Sequence, residues 1–291
     1  MNRKLIVSIV LILVASLLPD ILFREWTGSI PVWLPFAKSA VLIFFVLLNA
    51  FDPNRHPQAR FAIILLGFVL VNALMGRVES QPGWRALFDF EGFVGAFGSS
   101  VLLKSFGALV MILLLALLFQ RLSAFYLIRG DLNVRAREMK PLRIPGGRIP
   151  WGRLSLVAAG LIGLGTLLLT MLTVTGFSLP IANVRFLRHL PFIVVLAGAN
   201  AFAEGVMYRN AILGALRGVL PDEQKAWVAA ILFGLAHYYG APSGPVGVLM
   251  SGLLGWFMAR SMLDTRGFVA PWIIHLVQDI VIFSLILVQF F

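Results

Sequence analysis

Long hydrophobic runs follow one another along almost the whole chain and leave only short polar stretches between them. Of the 291 residues, 59% are hydrophobic and only 13% are charged, and the mean hydropathy is +0.92. A soluble domain of this size does not need that much apolar surface. The sequence therefore predicts an all-α fold, a polytopic transmembrane helical bundle of about eight to nine spans.

The hydrophobic runs set the expected positions of the spans, because crossing a bilayer takes about 20 apolar residues. Residues 77–102 lie between two hydrophobic runs, 60–76 and 103–120. They mix charged and aromatic side chains, a pattern typical of a segment in the membrane interface. The run at 37–51 is short, which indicates a tilted or re-entrant segment. We predict spans near residues 5–23, 37–51, 60–76, 103–120, 154–175, 189–215, 225–240, 246–262 and 269–290.

Residues 121–153 interrupt the hydrophobic pattern with eight Arg and Lys residues and several helix-breaking Pro and Gly residues. We therefore divide the chain into N-terminal transmembrane helices (1–120), a basic loop (121–153) and a C-terminal transmembrane bundle (154–291). Arg and Lys collect in cytoplasmic loops of membrane proteins. This rule predicts an integral protein of the cytoplasmic membrane, with its N-terminus and basic loop in the cytoplasm.

The formal net charge of +11 does not indicate a nucleic-acid partner, because the positive residues crowd into short loops, as the orientation of a membrane protein requires. Membrane lipid is therefore an expected partner. Cysteine is absent, which excludes disulfides, thiolate metal sites and a catalytic thiol. The sequence leaves the oligomeric state open.

Ionisable residues lie inside the last hydrophobic runs, where a charge costs roughly 3 kcal/mol on insertion scales. They are Glu204, His237, His275 and Asp279. A buried Glu can accept and return a proton, and a neighbouring His can orient an attacking water. A second His, with an Asp one helical turn away, can hold the oxyanion of a tetrahedral intermediate. This set suffices for peptide hydrolysis without Ser or Cys, and we predict it as the catalytic set.

Arg209 lies in the same hydrophobic run as Glu204. In an α-helix, Arg209 stands about 140° around from Glu204, so we expect it to pair with another helix or with a backbone carbonyl rather than with Glu204. The glycines between Gly244 and Gly255 favour close helix packing over phosphate binding.

The order Glu-x-x-x-x-Arg, Phe-x-x-x-His and His-x-x-x-Asp on successive apolar segments resembles the CAAX-protease and bacteriocin-processing (CPBP, ABI) family of intramembrane endopeptidases, related to the Ras-converting CAAX endopeptidase. The resemblance covers about residues 185–290. The positions that match are Glu204, Arg209, Phe233, His237, His275 and Asp279. Gly205 stands where the family usually has a second Glu, and Asp279 stands where many members have Asn.

The resemblance implies a helical bundle in which a Glu and a His activate water. The predicted function is hydrolysis of a peptide bond near the C-terminus of a membrane-associated or lipidated substrate, without a cofactor. Alternatives are a zinc-dependent form with Glu204, His237 and His275 as ligands, an inactive scaffold or immunity protein in which Gly205 marks the loss of activity, and a proton-coupled transporter. Individually, Glu204 and Arg209 are also compatible with a structural ion pair, His237 with an interfacial anchor, and His275 and Asp279 with a helix-stabilising pair.

Overall fold

The computed structural model describes residues 3–52, 55–88, 93–170, 184–240 and 242–288. Within these ranges the chain is helical, apart from loops and two isolated β-bridges in the basic loop. The prediction of an all-α transmembrane bundle is confirmed. The helices are α1 (Arg3–Ala15), α2 (Leu18–Thr27), α3 (Leu34–Asn49), α4 (His56–Ser80), α5 (Pro82–Leu87), α6 (Phe93–Phe119), α7 (Trp151–Thr170), α8 (Val184–Glu204), α9 (Ala211–Ala215), α10 (Asp222–Ala236), α11 (Gly244–Thr265) and α12 (Val269–Val288).

The number of helices long enough to span a membrane is smaller than the predicted eight to nine. Among the described residues six helices are long and apolar enough, or up to seven if α1 and α2 together form one bent span. The difference arises in the runs predicted at 37–51 and 225–240. These fold into α3 and α10, which have only 16 and 15 residues and are shorter than the about 20 residues that a bilayer requires.

The first predicted span is a helix broken by 50° between α1 and α2. Pro19 lies in the first turn of α2, where its missing N–H costs nothing. The backbone carbonyl of Ser16 lies in the break, and Nζ of Lys38 donates to it at 2.8 Å. Lys38 also forms an ion pair with Asp20. A buried lysine of α3 thus stabilises the bend.

Helix α6 begins at Phe93 rather than near residue 103. The polar stretch before residue 103 had hidden this extension, because its charges interrupt the hydrophobic run. As a consequence Lys104, which the predicted span placed at its edge, lies in the interior of a helix of 27 residues.

The basic loop is folded against the helix ends that surround it. Asp131 N donates to Thr265 O at 2.8 Å, and Phe268 N donates to Ile128 O at 2.7 Å. Arg137 reaches across to Asp264 (Nε–Oδ1, 2.5 Å). The loop therefore sits on the junction between α11 and α12.

The loop also reaches the start of α10, because Arg137 Nη2 lies 3.1 Å from Asp222 Oδ2. Burial raises the pKa of Asp222, but hydrogen bonds and charges from Lys225 and Arg137 outweigh it and hold this pKa below its ordinary value. Residues 121–153, 216–222 and 264–268 consequently share one end of the bundle, which we call the basic end. The basic loop and the two loops at 216–222 and 264–268 therefore lie on the same side of the bundle.

Helices α10 and α11 pack closely through glycines. A Cβ at Gly234 would lie 2.6 Å from Val248 O and 3.1 Å from Gly252 Cα, and a Cβ at Gly255 would lie 2.9 Å from Cδ1 of Phe233. No side chain fits at these positions without a shift of backbone or ring. The packing interpretation of the α11 glycines is confirmed, and this contact fixes the helix that carries Phe233.

Candidate active site

The backbone widens into a π-helix directly after Glu204, over Gly205–Asn210. A π-turn bonds residue i to residue i+5, so it brings Arg209 nearer to the Glu204 side than the 140° expected for an α-helix. Such turns are frequent at functional sites. The guanidinium of Arg209 is fully buried, and its Nη2 contacts His275 on α12. Arg209 therefore pairs with another helix.

The carboxylate of Glu204 uses its two oxygens differently. Oε1 accepts a hydrogen bond from Nζ of Lys104 at 2.7 Å. Oε2 lies 3.5 Å from Nε2 of His275 and 3.9 Å from Nε2 of His237. Oε2 is buried and has no hydrogen-bond partner among the described residues. Since buried polar atoms are nearly always hydrogen-bonded, this oxygen requires a donor from a water molecule or a substrate.

The hydrophobic pattern placed His237 inside a predicted span, at 225–240. In the structure it lies just beyond the end of α10. The helix tightens and ends at Ala236, with His237 N donating to Gly234 O at 2.9 Å and Gly240 N donating to His237 O at 2.9 Å. The ring nitrogen Nδ1 lies 2.8 Å from Phe233 O. A carbonyl only accepts hydrogen bonds, so Nδ1 carries the proton. In the neutral ring, Nε2 therefore presents its lone pair towards Glu204.

His275 has the opposite arrangement of its proton. Its Nδ1 lies 3.0 Å from Nη2 of Arg209, and both groups are buried. A guanidinium can only donate, so Nδ1 of His275 accepts and the proton of the neutral ring lies on Nε2. That Nε2–H faces Glu204 Oε2 and Asp279 Oδ1, each 3.5 Å away. The two histidines thus offer one acceptor and one donor to the same space.

Two polar residues that the sequence analysis did not single out complete the cluster. Asn200 lies one helical turn before Glu204 and donates from Nδ2 to Asp279 Oδ2 at 2.9 Å. Its Oδ1 accepts from Nζ of Lys104 at 2.9 Å. The spacing of Asn200 and Glu204, four residues apart on a helix, was a usable signal. No such signal marked Lys104, because the predicted span began at residue 103 and placed this lysine at the membrane edge.

Phe233 holds the two histidines apart and covers the guanidinium. Its ring centroid lies 4.4 Å from that of His237 and 5.7 Å from that of His275. The Arg209 guanidinium lies 5.5 Å from the same centroid, within cation–π range. This ring is buried, and its own backbone carbonyl fixes the tautomer of His237. The structure thus brings Glu204, His237, His275, Asp279, Arg209 and Phe233 into one cluster.

Gly205 faces a neighbouring ring rather than open space. A Cβ there would lie 2.7 Å from Cε2 and 2.9 Å from Cζ of Phe268, and 3.2 Å from Nη2 of Arg209. These contacts show close packing at Gly205 and leave no extra room there for a substrate. The position of the family's second Glu is occupied by the edge of the Phe268 ring.

The donor set fits the alternative zinc site poorly. A metal-bound His usually donates its second ring N–H to a carboxylate, carbonyl or water. His237 meets this condition through Phe233 O. His275 does not, because its second nitrogen accepts from Arg209 and the nitrogen that faces Glu204 carries the proton. A third ligand would therefore require loss of the Arg209 contact.

Comparison with known proteins identifies the region that carries this cluster. Residues 186–281 match the family model described as Rce1-like, type II CAAX prenyl endopeptidase Rce1-like. No curated protein and no solved structure matches the chain. The matched third of the chain contains Glu204, His237, His275 and Asp279, whereas Lys104 lies outside it. The resemblance drawn from the three motifs is confirmed: residues 186–281 of the chain are similar to this Rce1-like family model.

Proposed function

We propose that this protein is an intramembrane endopeptidase that uses Glu204 and His237 to activate water against a peptide bond. One observation carries the proposal. The unpartnered, buried Oε2 of Glu204 faces Nε2 of His237 at 3.9 Å and Nε2 of His275 at 3.5 Å. A water molecule placed there donates one hydrogen bond to Glu204 and one to the lone pair of His237.

The reaction then needs only groups of this cluster. Glu204 Oε2 accepts a proton from the water while the water oxygen attacks the carbonyl carbon of the substrate. The Nε2–H of His275 donates to the oxyanion that forms, which is the usual contribution of such donors. Collapse of the tetrahedral intermediate breaks the C–N bond, and the proton returns from Glu204 to the leaving amine. Asp279, anchored by Asn200, supports the ring of His275.

The substrate is a membrane-associated or lipidated protein, and the peptide bond that is cleaved lies near its C-terminus. The family match supports a prenylated CAAX tail as the first compound to test, and this class comes from the family alone. Peptide precursors and C-terminal sorting tails are also compatible with the same chemistry. No metal is required in this mechanism, and the protonated Nε2 of His275 favours the metal-free form over the zinc-dependent one.

The test compares wild-type protein with Glu204→Gln, which keeps the shape and removes the base. Glu223→Gln is the matched control, because Glu223 also forms an ion pair, with Arg260, but lies at the basic end. The purified proteins receive an internally quenched peptide that ends in a farnesylated CAAX tail. In parallel, comparative proteomics of membranes from cells with wild-type or Glu204→Ala protein identifies any precursor that accumulates.

We expect Glu204→Gln to lower cleavage by about 100-fold or more, while Glu223→Gln remains active. Full activity in a well-expressed Glu204→Gln protein contradicts the general-base role. If wild-type protein cleaves nothing and Gly205→Glu gains cleavage that depends on Glu204, the natural protein is an inactive relative.

A further inference from the structure

We infer that Lys104 is a positioning residue of this active site, which fixes the Glu204 carboxylate so that Oε1 is occupied and Oε2 alone faces the histidines. This inference rests on the proposed function, because it concerns how Glu204 is held. Lys104 belongs to α6, outside the region that matches the family. The groups that position the catalytic residues thus extend beyond the three motifs.

The geometry around Nζ of Lys104 is specific. Nζ lies 2.7 Å from Glu204 Oε1 and 2.9 Å from Asn200 Oδ1. Asn200 in turn donates to Asp279 Oδ2 at 2.9 Å. One ammonium group therefore holds both carboxylates, Glu204 directly and Asp279 through an amide. Removal of Lys104 frees Glu204 to rotate and to turn either oxygen towards the reacting water.

The charges explain why a cation is needed at this place. Glu204 and Asp279 are both nearly inaccessible, at 7% and 5% exposure. When both carboxylates are ionised, their charges repel each other strongly in this low-dielectric site. Arg209 already donates to His275, and its Nε and Nη1 find no partner among the described residues, so it does not hold Glu204. Lys104 is the cation in contact with the Glu204 carboxylate among the described residues.

A purely structural ion pair is the competing explanation, and the same chain offers a control for it. Lys38 and Asp20 form another lysine–carboxylate pair, which stabilises the bend between α1 and α2. If Lys104 only stabilises the fold, Lys104→Met and Lys38→Met should act alike. Both would then lower the unfolding temperature and leave the kcat of the folded fraction unchanged.

The experiment measures kcat, KM and thermal unfolding for Lys104→Met, Lys104→Arg, Lys38→Met, Glu204→Gln and the double variant Lys104→Met/Glu204→Gln. The probe is the quenched, farnesylated CAAX peptide. If wild-type protein does not cleave it, accumulation of the precursor found in Glu204→Ala membranes is measured instead. Lys104→Gln replaces Lys104→Met if the latter does not fold, because its amide retains an N–H donor.

Lys104→Met should lower kcat by about tenfold to 100-fold, the scale of a misplaced catalytic group, with KM nearly unchanged. Lys104→Arg should recover most of that loss, and Lys38→Met should keep the kcat of wild type. On the Glu204→Gln background, Lys104→Met should have no further effect, because it acts through Glu204.

Two outcomes separate the failures. Wild-type kcat in Lys104→Met, together with an inactive Glu204→Gln, overturns the role of Lys104 and leaves the proposed function intact. An active Glu204→Gln, or no cleavage by wild type in either assay, overturns the proposed function and this inference with it.

Discussion

Arg209 and His275 are joined by a buried contact of 3.0 Å between Nη2 and Nδ1, and this contact determines which nitrogen of the histidine carries its proton. Because arginine only donates, the imidazole presents an N–H to the space beside Glu204. His237, fixed by Phe233 O, presents a lone pair to the same space. Two histidines with similar motifs thus receive different chemical roles from their partners.

The first prediction separates these roles. His275→Gln retains an N–H donor for the substrate and a carbonyl that can accept from Arg209, whereas His275→Phe has neither. We expect His275→Phe to lose about 100-fold to 1000-fold in kcat, the usual cost of an oxyanion donor, and His275→Gln to lose clearly less. Steady-state cleavage of the quenched peptide measures both. Equal losses in the two variants would contradict a donor role.

The second prediction concerns metal. Because His275 Nε2 carries its proton, we expect a strong chelator to leave the cleavage rate unchanged. The measurement is the rate before and after chelation, followed by addition of zinc. A loss of activity that zinc restores would establish the zinc-dependent alternative.

The third prediction tests the packing at Gly205. Gly205→Ala forces a Cβ against Phe268, so we expect a loss of about 1–3 kcal/mol in stability, typical of overpacking. Gly198→Ala, in the preceding helix α8, is the matched control, since its Cβ would meet Trp272 and Leu276 at ordinary distances of 3.7 and 3.8 Å. Thermal unfolding in detergent compares the two variants. Phe268→Ala should relieve the defect of Gly205→Ala, and an additive double variant would argue against the contact.

The fourth prediction concerns the docking of the basic loop. The Asp264 side chain is fully buried and accepts from Arg137 and from Nε1 of Trp151. Arg137→Ala removes its charged partner, so we expect a loss of about 1–2 kcal/mol, since the half-exposed guanidinium is screened by solvent. Arg148→Ala, at an exposed position of the same loop, is the control and should change stability by less than about 0.5 kcal/mol. Unchanged thermal unfolding of Arg137→Ala would show that the loop does not depend on this pair.

The fifth prediction tests the orientation in the membrane. The chain has no cysteine, so single cysteines give an unambiguous signal. Lys140→Cys lies on the exposed surface of the basic loop, and Ser29→Cys lies between α2 and α3, near the other end of α10, where Arg24 stacks on Tyr239. With the basic end in the cytoplasm, an impermeant thiol reagent should label Ser29→Cys in intact cells and should not label Lys140→Cys. Labelling of Lys140→Cys but not of Ser29→Cys in intact cells would show that the basic end faces outwards.

The sequence by itself determined the class of the protein and the positions of its motifs. Hydrophobic runs are continuous along the chain, so the bilayer requirement can be applied without knowing which helices touch. Glu204 and Asp279 could likewise be recognised because a carboxylate inside an apolar run is costly. The predicted helix boundaries differed from the structure at two places. A charged stretch hid the start of the helix that carries Lys104, and a turn ends α10 just before His237.

The tertiary structure decided everything that depends on contacts between helices. Lys104 meets Glu204 across 100 residues of sequence, and Arg209 meets His275 across 66. No periodicity within one helix encodes such pairs, because a helix face does not specify which neighbour it contacts. The tautomers of the two histidines, the ring that occupies the space beside Gly205 and the lysine that holds the glutamate follow from packing alone. Their physical origin lies in which donor or acceptor each buried group finds within reach.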